Sequence, residues 1–369
     1  GIIVVCAGFV REAEARRYAS IIIDADTGDV VYSRQADAHR IPASLVKMMT
    51  LYMTFEALSS GKLKPGQRLK VSRTAAGRSP TKLGLKPGKT IKVEEAILAL
   101  ITKSANDAAT VLAEALAGTE PKFARDMTIK GRKLGMKRSS FRNASGLPNR
   151  RQRSTARDMA VLARALMRDF PQHYHYFSRQ SFKYGRKTYK NHNKLLARYD
   201  GADGIKTGYT RASGFNVAVS AKRGERRLIA VVIGGRTARS RDHHATKLLD
   251  KAFARLAKRS HSQSVTIAPS DPEAQPLVPP RSNIAVVADW AIQVGAFRRF
   301  AAARQQIHRA ANAAPSLLHG RRVSIIPINN AEGGLYRARL TGVTEGVAYE
   351  ACAVLREHDF ECLPVPPNR

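Results

Sequence analysis

The sequence predicts an α+β protein built as two folded units, and three observations carry that prediction. Strand-like hairpins stand at both ends of the region 16–259, with helical patterns between them. A Pro/Ser-rich stretch, 260–283, then interrupts all periodicity and reads as a semi-stiff linker. Beyond it, residues 284–369 follow the order βαββαβ.

In the first unit, Ser20–Asp24 and Val30–Arg34 flank Ala25-Asp-Thr-Gly-Asp29, a turn composition that joins two strands. After Pro42 the mostly apolar run from Ser44 to Leu58 predicts a buried helix stopped near Gly61, with Ser44 at its N-cap or first turn. Further helices are expected over Val93–Thr102, from Asn106 to Gly118, over Lys122–Gly135 and over Thr155–Arg168. Gly214–Ala221 and Arg227–Gly234 form a second hairpin, and a helix over His243–Lys258 closes the unit.

In the second unit, Trp290–Val294, Val323–Ile328, Tyr336–Leu340 and Phe360–Val365 are strands, with helices over Phe300–Ala313 and Glu345–Glu357. This order predicts a small four-stranded antiparallel sheet with two helices on one face. Trp290, Ile292 and Val294 share a strand face assigned to the core. Gln293 falls on the opposite face, as do Arg337 and Arg339.

The opening Gly1–Val10 is apolar throughout but too short to span a bilayer. With Ala13-Glu-Ala15 behind it, residues 1–15 are expected to be the remnant of a secretory signal. In the oxidising compartment this implies, Cys352 and Cys362 could pair, although spacing alone does not establish the bond. The cysteines do not resemble a metal site, and neither a metal nor a cofactor is expected. No other segment is long and apolar enough to cross a membrane, so no transmembrane anchor is expected.

Among 369 residues, 63 Lys and Arg face 29 Asp and Glu, a net charge of +34 that lies almost wholly upstream of Ile284. Nucleic acid is the first partner such a charge suggests. No helix-turn-helix, zinc-finger or aromatic RNA-binding signature accompanies it, however, and the cations are scattered. No nucleic-acid partner is expected.

Three motifs carry chemistry: Ser44-Leu-Val-Lys47, Ser104-Ala-Asn106 and Lys206-Thr207-Gly208. The first pattern also occurs at Ser59–Lys62 and Ser79–Lys82, so alone it says little; the other two occur once each. Ser44 and Lys47 are one helical turn apart, so a hydroxyl nucleophile shares a face with a base. An ammonium cannot accept the serine proton, and burial beside a second cation, Lys206, would lower the Lys47 pKa in the needed direction. Ser104 can relay a proton and Asn106 can hold a substrate amide. Thr207 offers a hydroxyl to a carboxylate, and Gly208 lets a backbone lie close along a strand edge. Together they form a kit for acyl transfer through a serine ester.

Longer stretches narrow the reading: Ile41-Pro-Ala-Ser-Leu-Val-Lys47, Lys103-Ser-Ala-Asn-Asp-Ala-Ala109, Asn143-Ala-Ser-Gly-Leu-Pro148, Ser154-Thr-Ala-Arg-Asp158, Asn191-His-Asn-Lys194 and Asp203-Gly-Ile-Lys-Thr-Gly-Tyr-Thr210. From about Tyr18 to Phe253 the chain resembles the low-molecular-mass serine-type D-alanyl-D-alanine carboxypeptidases, which are penicillin-binding proteins. The resemblance implies a β-lactamase/transpeptidase-like domain, an antiparallel sheet with a helical lobe. It implies that Ser44 attacks the bond between two terminal D-alanines of a peptidoglycan pentapeptide, that Lys47 takes the proton, and that Ser104 passes one to the departing D-alanine. The N–H groups of Ser44 and Tyr209 would form the oxyanion hole. Arg241 lies where such enzymes often keep an arginine for the terminal carboxylate, with Arg236 and Arg239 competing for that role. Tyr209 stands where many relatives carry His, and the Pro/Ser-rich linker and small domain stand where several relatives carry a β-rich second domain and a C-terminal anchor helix.

The segment from about Ile284 to Val365 resembles the sporulation-related (SPOR) repeat, through Asp289-Trp-Ala-Ile-Gln-Val-Gly-Ala-Phe297 and Leu335-Tyr-Arg-Ala-Arg-Leu340. Such domains bind glycan strands, which makes Gln293 and Arg337 on the far sheet face candidates for glycan contact. The combined expectation is a periplasmic enzyme, septal by its SPOR resemblance, that trims pentapeptide stems, is held on glycan strands, and is acylated by β-lactam antibiotics. The alternatives are an endopeptidase that cleaves cross-links by the same route, and a non-catalytic penicillin-binding wall protein.

Overall fold

The computed structural model describes residues 17–264, 290–297, 300–318, 321–328 and 335–367. The expected signal remnant at 1–15 and the linker at 260–283 lie wholly or largely outside the described residues. The chain divides into two compact units, Gly1–Ser270 and Asp271–Arg369.

The first unit is organised by strands β1 (Ala19–Asp24), β2 (Val30–Arg34), β7 (Ala202–Thr210), β8 (Gly214–Arg223) and β9 (Arg226–Gly235). They form one antiparallel sheet in the order β2-β1-β9-β8-β7, so the first hairpin of this unit pairs with its last. Strict alternation divides the strands between two faces. Ile21, Ile23, Ala218, Ile229, Val231 and Ile233 join the larger core, while Ile22, Val217, Val219, Leu228, Ala230 and Val232 join a second. With both faces covered, the strands read as nearly continuous apolar runs.

The larger core is shared with helices α1 (Lys47–Ser59), α2 (Val93–Thr102), α3 (Asn106–Ala117), α4 (Glu120–Lys133) and α5 (Ala156–Asp169). Helix α1 is buried almost all round, with Met48, Met49, Leu51 and Phe55 fully enclosed. Thr119 and Thr155 cap α4 and α5 by accepting from Lys122 N and Asp158 N. Helix α6 (Ala238–Ser264) covers the other sheet face through Ala245, Leu249 and Phe253. Two short ribbons complete the unit: β3 (Arg68–Lys70) with β4 (Thr90–Lys92), and β5 (Ser181–Tyr184) with β6 (Lys187–Lys190).

The second unit realises the βαββαβ order with β10 (Trp290–Phe297), α7 (Phe300–Ala313), β11 (Arg322–Ile328), β12 (Leu335–Val343), α8 (Glu345–Glu357) and β13 (Leu363–Val365). The antiparallel sheet runs β11-β12-β10-β13. Ile292, Val294, Ala338 and Leu340 pack against Ala303, Ile307, Ala351 and Leu355 of the two helices. Trp290 is only partly buried, because a register shift follows it, and its ring lies 5.8 Å from that of Tyr349. Cys352 and Cys362 are joined in a disulfide, with Cα atoms 5.1 Å apart, tying α8 to the segment leading into β13. Among the described residues no helix is long and apolar enough to cross a membrane.

Candidate active site

Ser44 is reached through an abrupt turn. It occupies a short 3-10 segment, Ala43–Val46, that runs directly into α1, and its side chain makes no capping hydrogen bond. The hydroxyl is therefore not consumed as a helix cap. Ala43 adopts φ +49°, in the left-handed region that costs an L-residue energy. Gly146 presses on this turn from behind: a Cβ there would stand 2.0 Å from the Ala43 carbonyl oxygen. Asn143 shapes the Gly146 loop, its Oδ1 accepting from Gly146 N at 2.7 Å.

That loop delivers a partner to Lys47. Nζ lies 2.5 Å from the Ser145 carbonyl oxygen, 2.8 Å from Asn106 Oδ1 and 3.2 Å from Ser44 Oγ. The Asn106 amide is oriented by its Nδ2, which donates to Ser79 O at 3.2 Å. Two of the three neighbours of Nζ are carbonyl oxygens, which can only accept. A neutral amine has two hydrogens for them and one lone pair, which is then left for the Ser44 hydroxyl. The same three oxygens also match the three hydrogens of an ammonium, so electrostatics decide the charge state. Electrostatics favour the neutral form: complete burial, then the Lys206 charge, pushes the Lys47 pKa well below its usual value, against the opposing pull of Glu120 and Asp107.

Those two acids were not singled out in the sequence. Asp107 is buried at the start of α3 and accepts from the backbone N–H groups of Leu83, Gly84 and Leu85. Asn106 N donates to Thr81 O at 2.7 Å, so the two residues pin the 79–85 loop beside the site. Glu120 is buried against Arg78 and accepts from Ala144 N. Both sit in first turns of helices, where an acid is ordinarily read as a dipole or capping residue.

Ser104 lies just before α3 with φ +58° and is 5% exposed. It does not cap the helix. Its buried Oγ has no protein hydrogen-bond partner, a state that a substrate or a water would relieve.

Lys206, Thr207, Gly208 and Tyr209 lie on β7, the edge strand of the sheet, so the motif is a strand and not a polar turn. A Cβ on Gly208 would stand 3.0 Å from Ser44 N and 3.2 Å from Leu45 N. A side chain here would thus crowd the nucleophile turn, a reason for glycine beyond the substrate approach expected from sequence. Lys206 is buried, and its Nζ donates to Thr207 O at 2.7 Å. Burial, then the Arg241 guanidinium, lowers its pKa to about 7. Arg241 is 3% exposed and donates from Nη1 to Asn216 O at 2.6 Å, whereas Arg236 and Arg239 are exposed. Of the three arginines, only Arg241 exerts this influence on the motif. Asn216 Nδ2 donates to Ile41 O and Pro42 O, tying β8 to the approach to Ser44. Tyr209 is 54% exposed, its ring tilted against that of Phe215 with centroids 4.3 Å apart.

In the second unit Gln293, Arg337 and Arg339 lie opposite the core face. Gln293 pairs with Arg339 across the sheet, and its Oε1 accepts from Arg339 Nε at 3.1 Å. Arg339 is itself buried, so this face is less open than alternation alone suggests. Among the described residues no group of His, Cys, Asp or Glu is arranged to hold a metal ion.

Residues 8–237 match the family model described as D-alanyl-D-alanine carboxypeptidase, and residues 287–366 match the SPOR domain. D-alanyl-D-alanine carboxypeptidase DacF of Bacillus subtilis is 36% identical over 242 residues, covering 64% of this chain and 62% of the relative. DacA of Escherichia coli K12 is 37% identical over 253 residues, covering 66% and 62%. The chain therefore spans less than two thirds of these relatives' length. Among solved structures, penicillin-binding protein 6B of Escherichia coli aligns with a TM-score of 0.60 at 37% identity, covering 63% of this chain and 75% of that one. Penicillin-binding protein D2 of Listeria monocytogenes, solved in an ampicillin-bound form, aligns with a TM-score of 0.59 at 30% identity, covering 64% and 96%.

Proposed function

Since the chain belongs to the D-alanyl-D-alanine carboxypeptidase family and carries a C-terminal SPOR domain, we propose that it is a serine hydrolase that removes the terminal D-alanine from peptidoglycan pentapeptide stems. The observation that carries this reading is the placement of Ser44 Oγ 3.2 Å from the fully buried Lys47 Nζ, an amine whose pKa is held well below its usual value by burial and by Lys206.

Ser44 Oγ bonds to the carbonyl carbon of the penultimate D-alanine as its proton passes to Lys47 Nζ. The electron pair displaced onto oxygen is held by the N–H groups of Ser44 and Tyr209. Collapse breaks the C–N bond, and the amine of the leaving D-alanine takes a proton relayed through Ser104. Water then adds to the Ser44 ester, and its collapse releases the shortened stem and restores the hydroxyl. Lys206, Thr207 and Arg241 receive the terminal carboxylate; the Gly208 edge accepts the substrate backbone, and the remaining Nδ2 hydrogen of Asn106 serves a substrate amide. β-Lactams acylate the same serine. The division into a catalytic domain at 16–259, a linker at 260–283 and a wall-binding domain at 284–369 belongs to this proposal. So do glycan contact by Gln293 and Arg337 and a periplasmic, septal location.

Labelling with a fluorescent penicillin, with Ser44→Ala as control, tests the nucleophile. Product analysis on purified pentapeptide muropeptides and on cross-linked dimers tests the substrate. Free D-alanine from pentapeptide is expected; dimer cleavage without it would replace this reading by an endopeptidase.

A further inference from the structure

The segments that frame the site are empty of acidic residues. No Asp or Glu occurs between Glu56 and Glu94, between Asp169 and Asp200, or between Asp203 and Glu225. These stretches supply the 79–85 loop, the β5–β6 ribbon, the 191–194 turn and strand β7 beyond Asp203, whose carboxylate is paired with Arg227. The carboxylates that act on Lys47, Asp107 and Glu120, are buried and already engaged by backbone N–H groups and Arg78.

The structure brings two further lysines into this acid-free rim. Lys103 immediately precedes Ser104, and its ammonium lies 5.7 Å above the Tyr189 ring of β6. Lys194 closes the turn begun by Asn191. That turn is clamped at both ends of the site: His192 N donates to Thr102 O at 3.2 Å, and Asn193 Nδ2 donates to Gly204 O at 3.0 Å. Its backbone thus bridges the segment carrying Ser104 and the strand carrying Lys206. The exposed His192 imidazole stands where the fields of both rim lysines and both site lysines meet. Its pKa is pushed down to about 4, first by partial desolvation and then by Lys206, Lys103, Lys47 and Lys194.

A terminal carboxylate received by Lys206, Thr207 and Arg241 leaves Lys103 with no ion pair among the described residues, while the carboxylate that Lys194 acts on, Asp242, is already paired with Arg241. Resting on the carboxypeptidase reading, we infer that Lys103, His192 and Lys194 form a subsite for a second carboxylate of the stem, carried on the side chain of its third residue. That residue directly precedes the acylated D-alanine, within side-chain reach of Lys103 beside Ser104. A diamino-acid side chain ending in a carboxylate is attracted to this rim. One ending in a lone ammonium is repelled by it.

The test compares release of D-alanine from two synthetic pentapeptides, with meso-diaminopimelate or L-lysine at the third position, using the full chain. The diaminopimelate stem is expected to have a kcat/KM at least tenfold higher, with the ratio shrinking as salt rises. Lys103→Gln and Lys194→Gln should each reduce that ratio severalfold through the diaminopimelate KM, while benzylpenicillin acylation of Ser44 stays unchanged. Equal kcat/KM for the two stems, or a preference indifferent to both substitutions, would overturn the subsite but leave the carboxypeptidase reading standing. Release of D-alanine from neither stem would overturn both.

Discussion

Ser145 presents its carbonyl oxygen to Lys47 Nζ at 2.5 Å, across 98 residues of sequence. The contact exists because the Asn143–Gly146 loop folds tightly against the turn carrying Ser44. Gly146 has φ +85° and no room for a Cβ, so Gly146→Ala displaces this loop. We expect a stability loss of about 1–3 kcal/mol and a penicillin acylation rate lowered at least tenfold. Denaturant unfolding and labelling kinetics measure the two effects separately.

Asn106 contributes an amide oxygen to Lys47 and no charge. In Asn106→Asp the same position bears a carboxylate 2.8 Å from Nζ, which stabilises the ammonium. The Lys47 pKa rises, so the acidic limb of the kcat/KM profile moves to higher pH and activity at pH 7 falls steeply. A profile with an unmoved limb would contradict Lys47 as the base.

Removing the charge of Lys206 should also raise the Lys47 pKa, because Lys206 is the second cause of its depression. Lys206→Met is accordingly expected to shift the acidic limb upward as well, with D-alanine release monitored against pH.

The same substitution should stabilise the fold. Lys206 has a folded pKa of about 7 against 10.5 for the free group. A base so depressed destabilises the folded state fully below about pH 7, and the cost fades as pH rises toward 10.5. Lys206→Met should gain on the order of 1–3 kcal/mol at pH 7, with the gain vanishing near pH 10. Urea unfolding at a series of pH values measures this.

The disulfide joins Cys352 to Cys362 in the second unit alone. Cys352→Ser should lower the stability of that unit by about 2–4 kcal/mol while leaving acylation of Ser44 untouched. Calorimetry with and without a fluorescent penicillin separates the two effects.

The three motifs were legible in sequence because their residue types carry the chemistry themselves. Four strands of the main sheet and its long helices were legible because they bury regular apolar sets, whereas β7 was anticipated only as a strand edge at Gly208. The β3–β4 and β5–β6 ribbons were not, since strands of three or four residues alternating with Lys, Arg and Thr imitate loops. The Ser145 contact was invisible for a different reason: a main-chain carbonyl leaves no mark in residue identity. Asp107 and Glu120 were hidden by their positions, where a helix start explains an acid without invoking the site. The pairing of Cys352 with Cys362, left open by spacing, is decided by their 5.1 Å Cα separation.

The close approach of Gly208 to the Ser44 turn, together with the Ser145 carbonyl on Lys47, bears on how such a site can evolve under antibiotics. Its key contacts run through main-chain atoms and a missing side chain, neither of which a point substitution can retune by small steps. A change large enough to spare Ser44 from a drug at these positions would disable the proposed wall chemistry with it. Variation that discriminates drug from stem peptide is confined to the exposed rim, where Tyr209, His192 and Lys194 lie.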